Sequence, residues 1–316
     1  MKVLFVSSGN KKSGISPIVK AQGESLRKEN VKINYYLIKG KGFIGYLKNL
    51  LPLKREIKCE KYDIIHSHYG DSTILAAIAN FNKVKFIISF MGDDLYGSLN
   101  KNYKYTLKSK FFTKINKILA KYVADGVIVK SHKMNKKLFS STNSSIIPNG
   151  VNMNQFNCIK ANKNNNCKII LFISNVNRPE KNYKLLKEAI KYVDDKNIHV
   201  KNVHNVSKEE LKLEYNNSKV LVLTSIHEGS PNVIKEAMAC NCPIVSTDIG
   251  DVKWVFGDTK GCYLTSFDPL DIANKIKRAL IFSDKKGRTD GRNRIFDLGL
   301  DSVTIAKKII VYYEQC

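Results

Sequence analysis

No run of about 18 apolar residues occurs in the 316-residue sequence, so it holds no candidate for a membrane-spanning helix. The opening Met1-Lys-Val-Leu-Phe-Val-Ser becomes a strand pattern too soon for a signal peptide, and a cytoplasmic protein is expected. Cysteine is too sparse and too scattered for a disulfide framework: seven residues, at 59, 158, 167, 240, 242, 262 and 316. Cys240-Asn-Cys242 lacks a matching second pair, which favours small buried filler over zinc. The loop after the opening strand, Ser7 to Ser16, is not a G-x-G-x-x-G, and no isolated Asp-x-Asp stands at a strand end. Acidic residues are few, 28 against 53 Lys and Arg, for a formal charge of +25. Only seven of the basic residues are Arg, and the Lys excess travels with Asn and Ile, as in AT-rich coding, so the charge by itself decides little. A nucleic-acid-binding protein would use it, but no recognised binding motif appears.

What is present reads as α/β. The chain is long enough for two domains of about 150 residues each, and a 43% apolar content supplies a core for both. Apolar runs predict strands at about 2–8, 31–38, 63–67, 84–90, 125–130 and 144–147, alternating with helical patterns. The polar stretch Ile159-Lys-Ala-Asn-Lys-Asn-Asn-Asn166 reads as a linker, and strands recur at about 167–174, 197–203, 219–224, 243–246 and 261–264.

The strongest chemical signal is Glu228-Gly-Ser-Pro-Asn-Val-Ile-Lys-Glu236, two carboxylates eight positions apart across a strand-to-helix junction. Ser230 is predicted as N-cap and Pro231 as the first helical residue, which puts Glu228 in the loop above a strand's carboxyl end, where open α/β sheets bind ligands. Glu236 falls at the margin of the apolar face with no basic residue three or four positions away, so it wants a hydroxyl donor or a distant cation. A half-exposed helix Glu beside an ordinary cap fits the spacing equally. Arg178 and Lys181 flank Pro179 at a predicted helix start, where two cations oppose the helix dipole unless an anion binds; two solvated surface cations are the alternative.

Residues 228–251 closely resemble the E-x7-E signature of the family 4 retaining glycosyltransferases, the group 1 enzymes. Ile147-Pro-Asn-Gly-Val-Asn152, Asn177-Arg-Pro-Glu-Lys-Asn182 and Asp63-Ile-Ile-His-Ser-His68 fit the same family in the same order, so the resemblance covers nearly the whole chain. It implies a GT-B fold: two facing Rossmann-like domains with parallel sheets and an interdomain cleft. An acceptor domain at 1–156, rejoined by a C-terminal helix within 301–316, and a nucleotide-sugar domain at 157–300 are expected. Relatives carry an extra strand and helix between the segments matching 193 and 197, so an abbreviated base pocket is expected here.

The resemblance also assigns roles. Glu228 would orient hydroxyls of the donor sugar, Glu236 would grip the ribose, and Arg178 with Lys181 would stabilise charge on the leaving diphosphate. The family's basic pair stands five apart, and Val176 occupies that position before Lys181, so Arg178 is the replacement. Gly229, Ser230, Pro231 and Asn232 would present the helix start to phosphate, Gly14 would let backbone approach it, and His204 would lie near the base. His68 and Asp93 are acceptor-side candidates, with a satisfied structural histidine as the other reading of His68. Met91 stands where the family often has His, which removes one expected donor-sugar contact. No protein nucleophile, metal or other cofactor is expected, since cations and helix ends neutralise the diphosphate. The wording of the motif resembles enzymes of bacterial surface polysaccharide assembly, which act on polyprenyl-linked acceptors at the cytoplasmic leaflet. A nucleotide-sugar epimerase on the same fold remains an alternative.

Two segments interleave apolar residues with lysine. Residues 39–58, interrupted by Pro52, suit either a surface that settles on anionic lipid or an ordinary packed helix. Residues 101–114 read rather as a core-facing helix with a solvated lysine face.

Overall fold

The computed structural model describes residues 1–10, 14–81, 83–159 and 167–316. The expected linker lies, from residue 160 on, outside the described residues, as do Lys11, Lys12 and Ser13. The chain divides into two compact units, Met1–Ser98 with Tyr105–Gly150 and Ser302–Cys316, and Leu99–Lys104 with Val151–Asp301. The division falls at 150/151, where the sequence suggested 156/157. Local bonds explain the difference: Val151 N donates to Leu300 O at 3.0 Å, and the Arg292 guanidinium binds the carbonyls of Met153 and Phe156 at 2.9 and 2.7 Å.

Unit 1 holds a parallel sheet of β1 (Lys2–Ser8), β2 (Lys32–Ile38), β3 (Ile64–His68), β4 (Lys85–Ser89), β5 (Gly126–Val129) and β6 (Ser144–Ile146), in the order β2-β1-β3-β4-β5-β6. Its inner strands are buried along their length, which is why they read as unbroken apolar runs. Helix Ser302–Gln315 packs on helix Pro17–Lys28. Its Tyr312 hydroxyl accepts from Val127 N at 2.8 Å, and its Tyr313 hydroxyl pairs with His66 Nδ1.

Unit 2 holds β7 (Lys168–Ile173), β8 (Ile198–Val203), β9 (Val220–Leu223), β10 (Ile244–Thr247) and β11 (Cys262–Thr265), all parallel, in the order β11-β10-β9-β7-β8. Ile170, Phe172, Val220, Val222 and Val245 pack there with Leu186, Ile272 and Ile276 of flanking helices. The chain reverses its direction of sheet growth between β7 and β9, and in unit 1 between β1 and β3. Such switch points separate the loops at the strands' carboxyl ends and open a place for ligands.

Two lysine-rich segments differ from expectation. Residues 42–60 form two helices, Gly42–Leu47 and Leu50–Glu60, and the break falls before Pro52, which sits in the first turn of the second helix. A first-turn N–H has no partner within its helix, so proline is tolerated there. Leu53 and Ile57 are buried, whereas Ile44, Leu47 and Leu51 are exposed. Helix Leu107–Tyr122 fully buries only Asn116 and Ala120; Phe112, Ile115 and Leu119 are half-buried, with Leu119 on the unit 1 core, while Leu107, Phe111, Ile118 and Tyr122 are exposed, so only part of its apolar face is turned to the core. Among the described residues no helix is long and apolar enough to cross a membrane.

Candidate active site

The loops after β7 and β9 are laced together at the unit 2 switch point. Thr224 Oγ1 donates to the carbonyls of Lys181 and Asn182 at 3.1 and 3.0 Å, and Ile226 N donates to Glu180 O at 2.8 Å. This lacing sets Lys181 Nζ directly against Glu228 Oε1, which also accepts from Ser225 Oγ at 3.0 Å. The two charged side chains are mostly buried, 14% and 18% exposed. Arg178 pairs with Glu180, a carboxylate buried far more deeply than its partner. The expectation of two cations crowding a helix start is therefore corrected. Pro179–Lys181 is a 3-10 turn, the α-helix begins only at Tyr183 after a left-handed Asn182, and each cation already has a carboxylate.

The loop after β9 leads into helix Asn232–Ala239. Ser230 does not cap it; Pro231, extended at φ −68° and ψ 118°, occupies the cap position with no side-chain bond. Ser230 Oγ instead accepts from Lys235 Nζ at 2.8 Å. Lys235 is fully enclosed, and burial lowers its pKa to about 8 while Asp251 and Glu236 favour its charged form. Glu236 has the hydroxyl donor the sequence called for, Tyr215 OH at 2.8 Å. Burial raises its pKa, and the Tyr215 bond, Lys208 and Lys235 oppose that rise. Asn232 Oδ1 is buried without a hydrogen-bond partner among the described residues, in a place where a ligand donor would satisfy it. Gly250, at φ +52°, lies so close beneath the loop that a Cβ there would meet Gly229 O at 2.6 Å. His204 is exposed just beyond the carboxyl end of β8.

In unit 1 the candidates are more dispersed in role. Gly14 has φ +70°, and a Cβ on it would meet nothing within 4 Å, so its backbone is open to approach. His68 ends β3 at the switch point but is fully buried, stacked on His66 at 4.2 Å and tilted on Phe5 at 4.4 Å. Burial, with Lys130 nearby, holds its pKa well below the ordinary value, and neither ring nitrogen has a partner among the described residues. The imidazole is enclosed and neutral, but with both nitrogens unpartnered among the described residues it does not match a satisfied structural histidine either. Asp93 is exposed, while Asp94, which the sequence gave no role, accepts from Met91 N and Gly92 N at 2.8 Å and fixes their loop. Burial raises the Asp94 pKa to about 6 against the pull of those N–H groups.

Cys240 and Cys242 are buried. Among the described residues no group of three or more His, Cys, Asp or Glu is placed to hold a metal ion. Sequence reasoning missed Lys235, Tyr215 and Ser225. Lys235 alone left a trace, as a lysine set among Ile234, Ala237 and Met238 on a largely apolar helix.

Comparison with known proteins agrees with this architecture. Residues 194–293 match the family described as glycosyl transferases group 1, and residues 13–155 match glycosyltransferase family 4. An uncharacterized glycosyltransferase of Methanocaldococcus jannaschii is 25% identical over 268 residues, covering 79% of this chain and 74% of its own. The putative teichuronic acid biosynthesis glycosyltransferase TuaC of Bacillus subtilis is 23% identical over 282 residues, covering 74% and 70%. Among solved structures, sucrose-phosphate synthase from Thermosynechococcus elongatus aligns with a TM-score of 0.80 at 17% identity over 99% of this chain and 98% of its own. HepE from Anabaena, solved with UDP and glucose, aligns at 0.76 and 17% over the whole of both chains. With both halves matched by glycosyltransferase profiles and two parallel-sheet α/β units built like those of GT-B enzymes, the chain belongs to the group 1, family 4 glycosyltransferases.

Proposed function

We propose that the protein moves a sugar from a nucleotide-sugar donor to a glycan acceptor with retention of configuration, without a metal, in bacterial surface polysaccharide assembly. The observation that carries this reading is the Lys181–Glu228 ion pair, braced by Ser225 at the β7/β9 switch point. A diphosphate arriving there takes Lys181 and Arg178 as counter-ions and frees Glu228 to accept hydroxyls of the donor sugar. Gly229, Ser230, Pro231 and Asn232 offer the helix start to the phosphates. Glu236 takes the ribose, and His204 lies toward the base. Charge builds on the leaving diphosphate in the transition state, and its oxygen takes the acceptor's proton on the same face of the sugar. A polyprenyl-linked acceptor at the cytoplasmic leaflet is the partner proposed for unit 1, with Asp93 as its exposed candidate. TuaC, named for teichuronic acid biosynthesis, supports the polysaccharide setting.

The test is to mix the purified protein with a panel of nucleotide sugars, beginning with UDP-glucose, the ligand of a HepE structure, and to follow thermal shift and consumption. Transfer that needs an acceptor and keeps the anomeric configuration by NMR supports the reading. Conversion of the donor with no acceptor present makes the protein an epimerase, and no binding of any nucleotide sugar refutes the site.

A further inference from the structure

Helix Leu107–Tyr122 carries an apolar stripe that nothing in its own unit covers. At about 100° per residue, Leu107, Phe111, Ile118 and Tyr122 fall within an arc of about 60°. These four side chains are 83%, 62%, 41% and 71% exposed. Lys110, Lys114, Lys117 and Lys121 run along one edge of the arc and Lys108 along the other, and the helix contains no acidic residue. Its opposite side approaches helix Gly70–Ala79 through small and polar groups. A Cβ on Gly70 would collide with the Asn116 amide, which donates to Asp94 O at 3.0 Å. The close approach of the two backbones thus fixes which side faces out.

Neighbouring elements extend the stripe into a face. Helix Gly70–Ala79 packs against both helix Leu107–Tyr122 and helix Leu50–Glu60. Ile78, Phe81 and Leu51 are exposed, and Lys54 Nζ sits 4.6 Å from the centre of the Phe81 ring. Single exposed apolar residues are ordinary, but a row of large ones rimmed by cations marks an interaction surface.

We propose that this face of unit 1, centred on helix Leu107–Tyr122, docks on an anionic lipid bilayer. An apolar arc between lysine rows matches the boundary between acyl chains and headgroups: Leu107, Phe111 and Ile118 enter the acyl margin, and the lysine stems reach up to lipid phosphates. A second copy of this chain would set the same lysine rows against one another at a net charge of +25 per copy, which opposes self-association. The proposal goes beyond the catalytic reading, because the face is defined by unit 1 alone and does not depend on which acceptor is used.

The test is co-sedimentation of the full chain with vesicles of phosphatidylcholine alone and of phosphatidylcholine mixed with phosphatidylglycerol, at low and physiological salt. Two variants are compared with wild type, Phe111→Ser with Ile118→Ser, and Lys110, Lys114, Lys117 and Lys121 all changed to Gln. Unchanged melting temperatures and donor-induced thermal shifts certify that both are folded. Wild type should bind only the anionic vesicles and weaken with salt, and each variant should lose roughly tenfold or more in partitioning. Equal binding by the variants, equal binding to phosphatidylcholine alone, or no binding at low salt overturns the proposal. A concentration-dependent dimer abolished by the Ser variant also overturns it and assigns the face to a second copy.

Discussion

Lys235→Met tests whether the buried ammonium is held for the sake of Ser230. A lysine whose pKa falls from 10.5 to about 8 costs the fold about 3 kcal/mol while charged at pH 7, at 1.36 kcal/mol per pH unit. Methionine removes that cost but leaves Ser230 Oγ without its donor, and a hydrogen bond to a charged group contributes about 1.5–3 kcal/mol. The two effects nearly cancel, so the variant should lie within about 1 kcal/mol of wild type at pH 7. Their pH dependence separates them. Because the folded pKa is lowered, the unfolded chain holds more protons between about pH 8 and 10.5, and wild-type stability relative to the variant should rise there by up to about 1.4 kcal/mol per pH unit. Below pH 8 the difference should be flat. Groups common to both proteins cancel in the comparison, which urea unfolding of each across pH 7–10 supplies. A protonated lysine has only donors, so Ser230 must accept from it and turn its own O–H elsewhere. Losing that orientation should weaken UDP binding by roughly tenfold in calorimetry at pH 7, about one hydrogen bond's worth. Parallel stability curves for the two proteins, together with unchanged UDP affinity, would refute this account of Lys235.

Glu236→Ala should lower nucleotide affinity in calorimetry and also destabilise the fold by about 1–3 kcal/mol, because the Tyr215 hydroxyl is fully buried and loses its acceptor. Glu236→Gln, which keeps an acceptor for Tyr215, should lose affinity with little loss of stability, and unchanged affinity in both variants would remove Glu236 from the donor site. Changing Arg178 and Lys181 together to Gln should lower kcat steeply and lower the melting temperature, since Glu180 and Glu228 then lose their cations; wild-type turnover would place the diphosphate elsewhere. Activity should survive EDTA with at most a modest loss, and a strict manganese requirement would contradict the proposed neutralisation by Arg178 and Lys181.

Strand positions were legible because the inner parallel strands are buried on both faces and write apolar runs, while the edge strands β2, β6, β8 and β11 are only partly buried; β1 matches at both ends and no other strand end departs from expectation by more than one residue. Strand order was not, because it depends on contacts between runs of nearly identical composition. The Glu228 and Glu236 spacing drew attention to the right loop, but the chemistry around it was set by tertiary partners. Tyr215 lies on another helix, and Lys235 competes for Ser230 by burial, which propensity at a helix start does not register. Helix Leu107–Tyr122 misled for a related reason. Its wheel shows an apolar arc, and only the glycine at 70 and the amide at 116 reveal that the other side packs.

The joining of the last helix to the first unit has a consequence for how the chain is made. His66 and Tyr313 meet across 247 residues of sequence, and Ile305, Ala306 and Ile309 of the same helix are buried in unit 1. At a synthesis rate of about 5–20 residues per second, Val151–Asp301 takes on the order of 10–30 s to emerge. Through that interval the earlier-born half waits with an uncovered groove while the later-born half, nearly one continuous segment, completes itself. The first unit to be translated is thus the last to mature, and the ribosome-bound chain carries its most vulnerable surface in the part it made first.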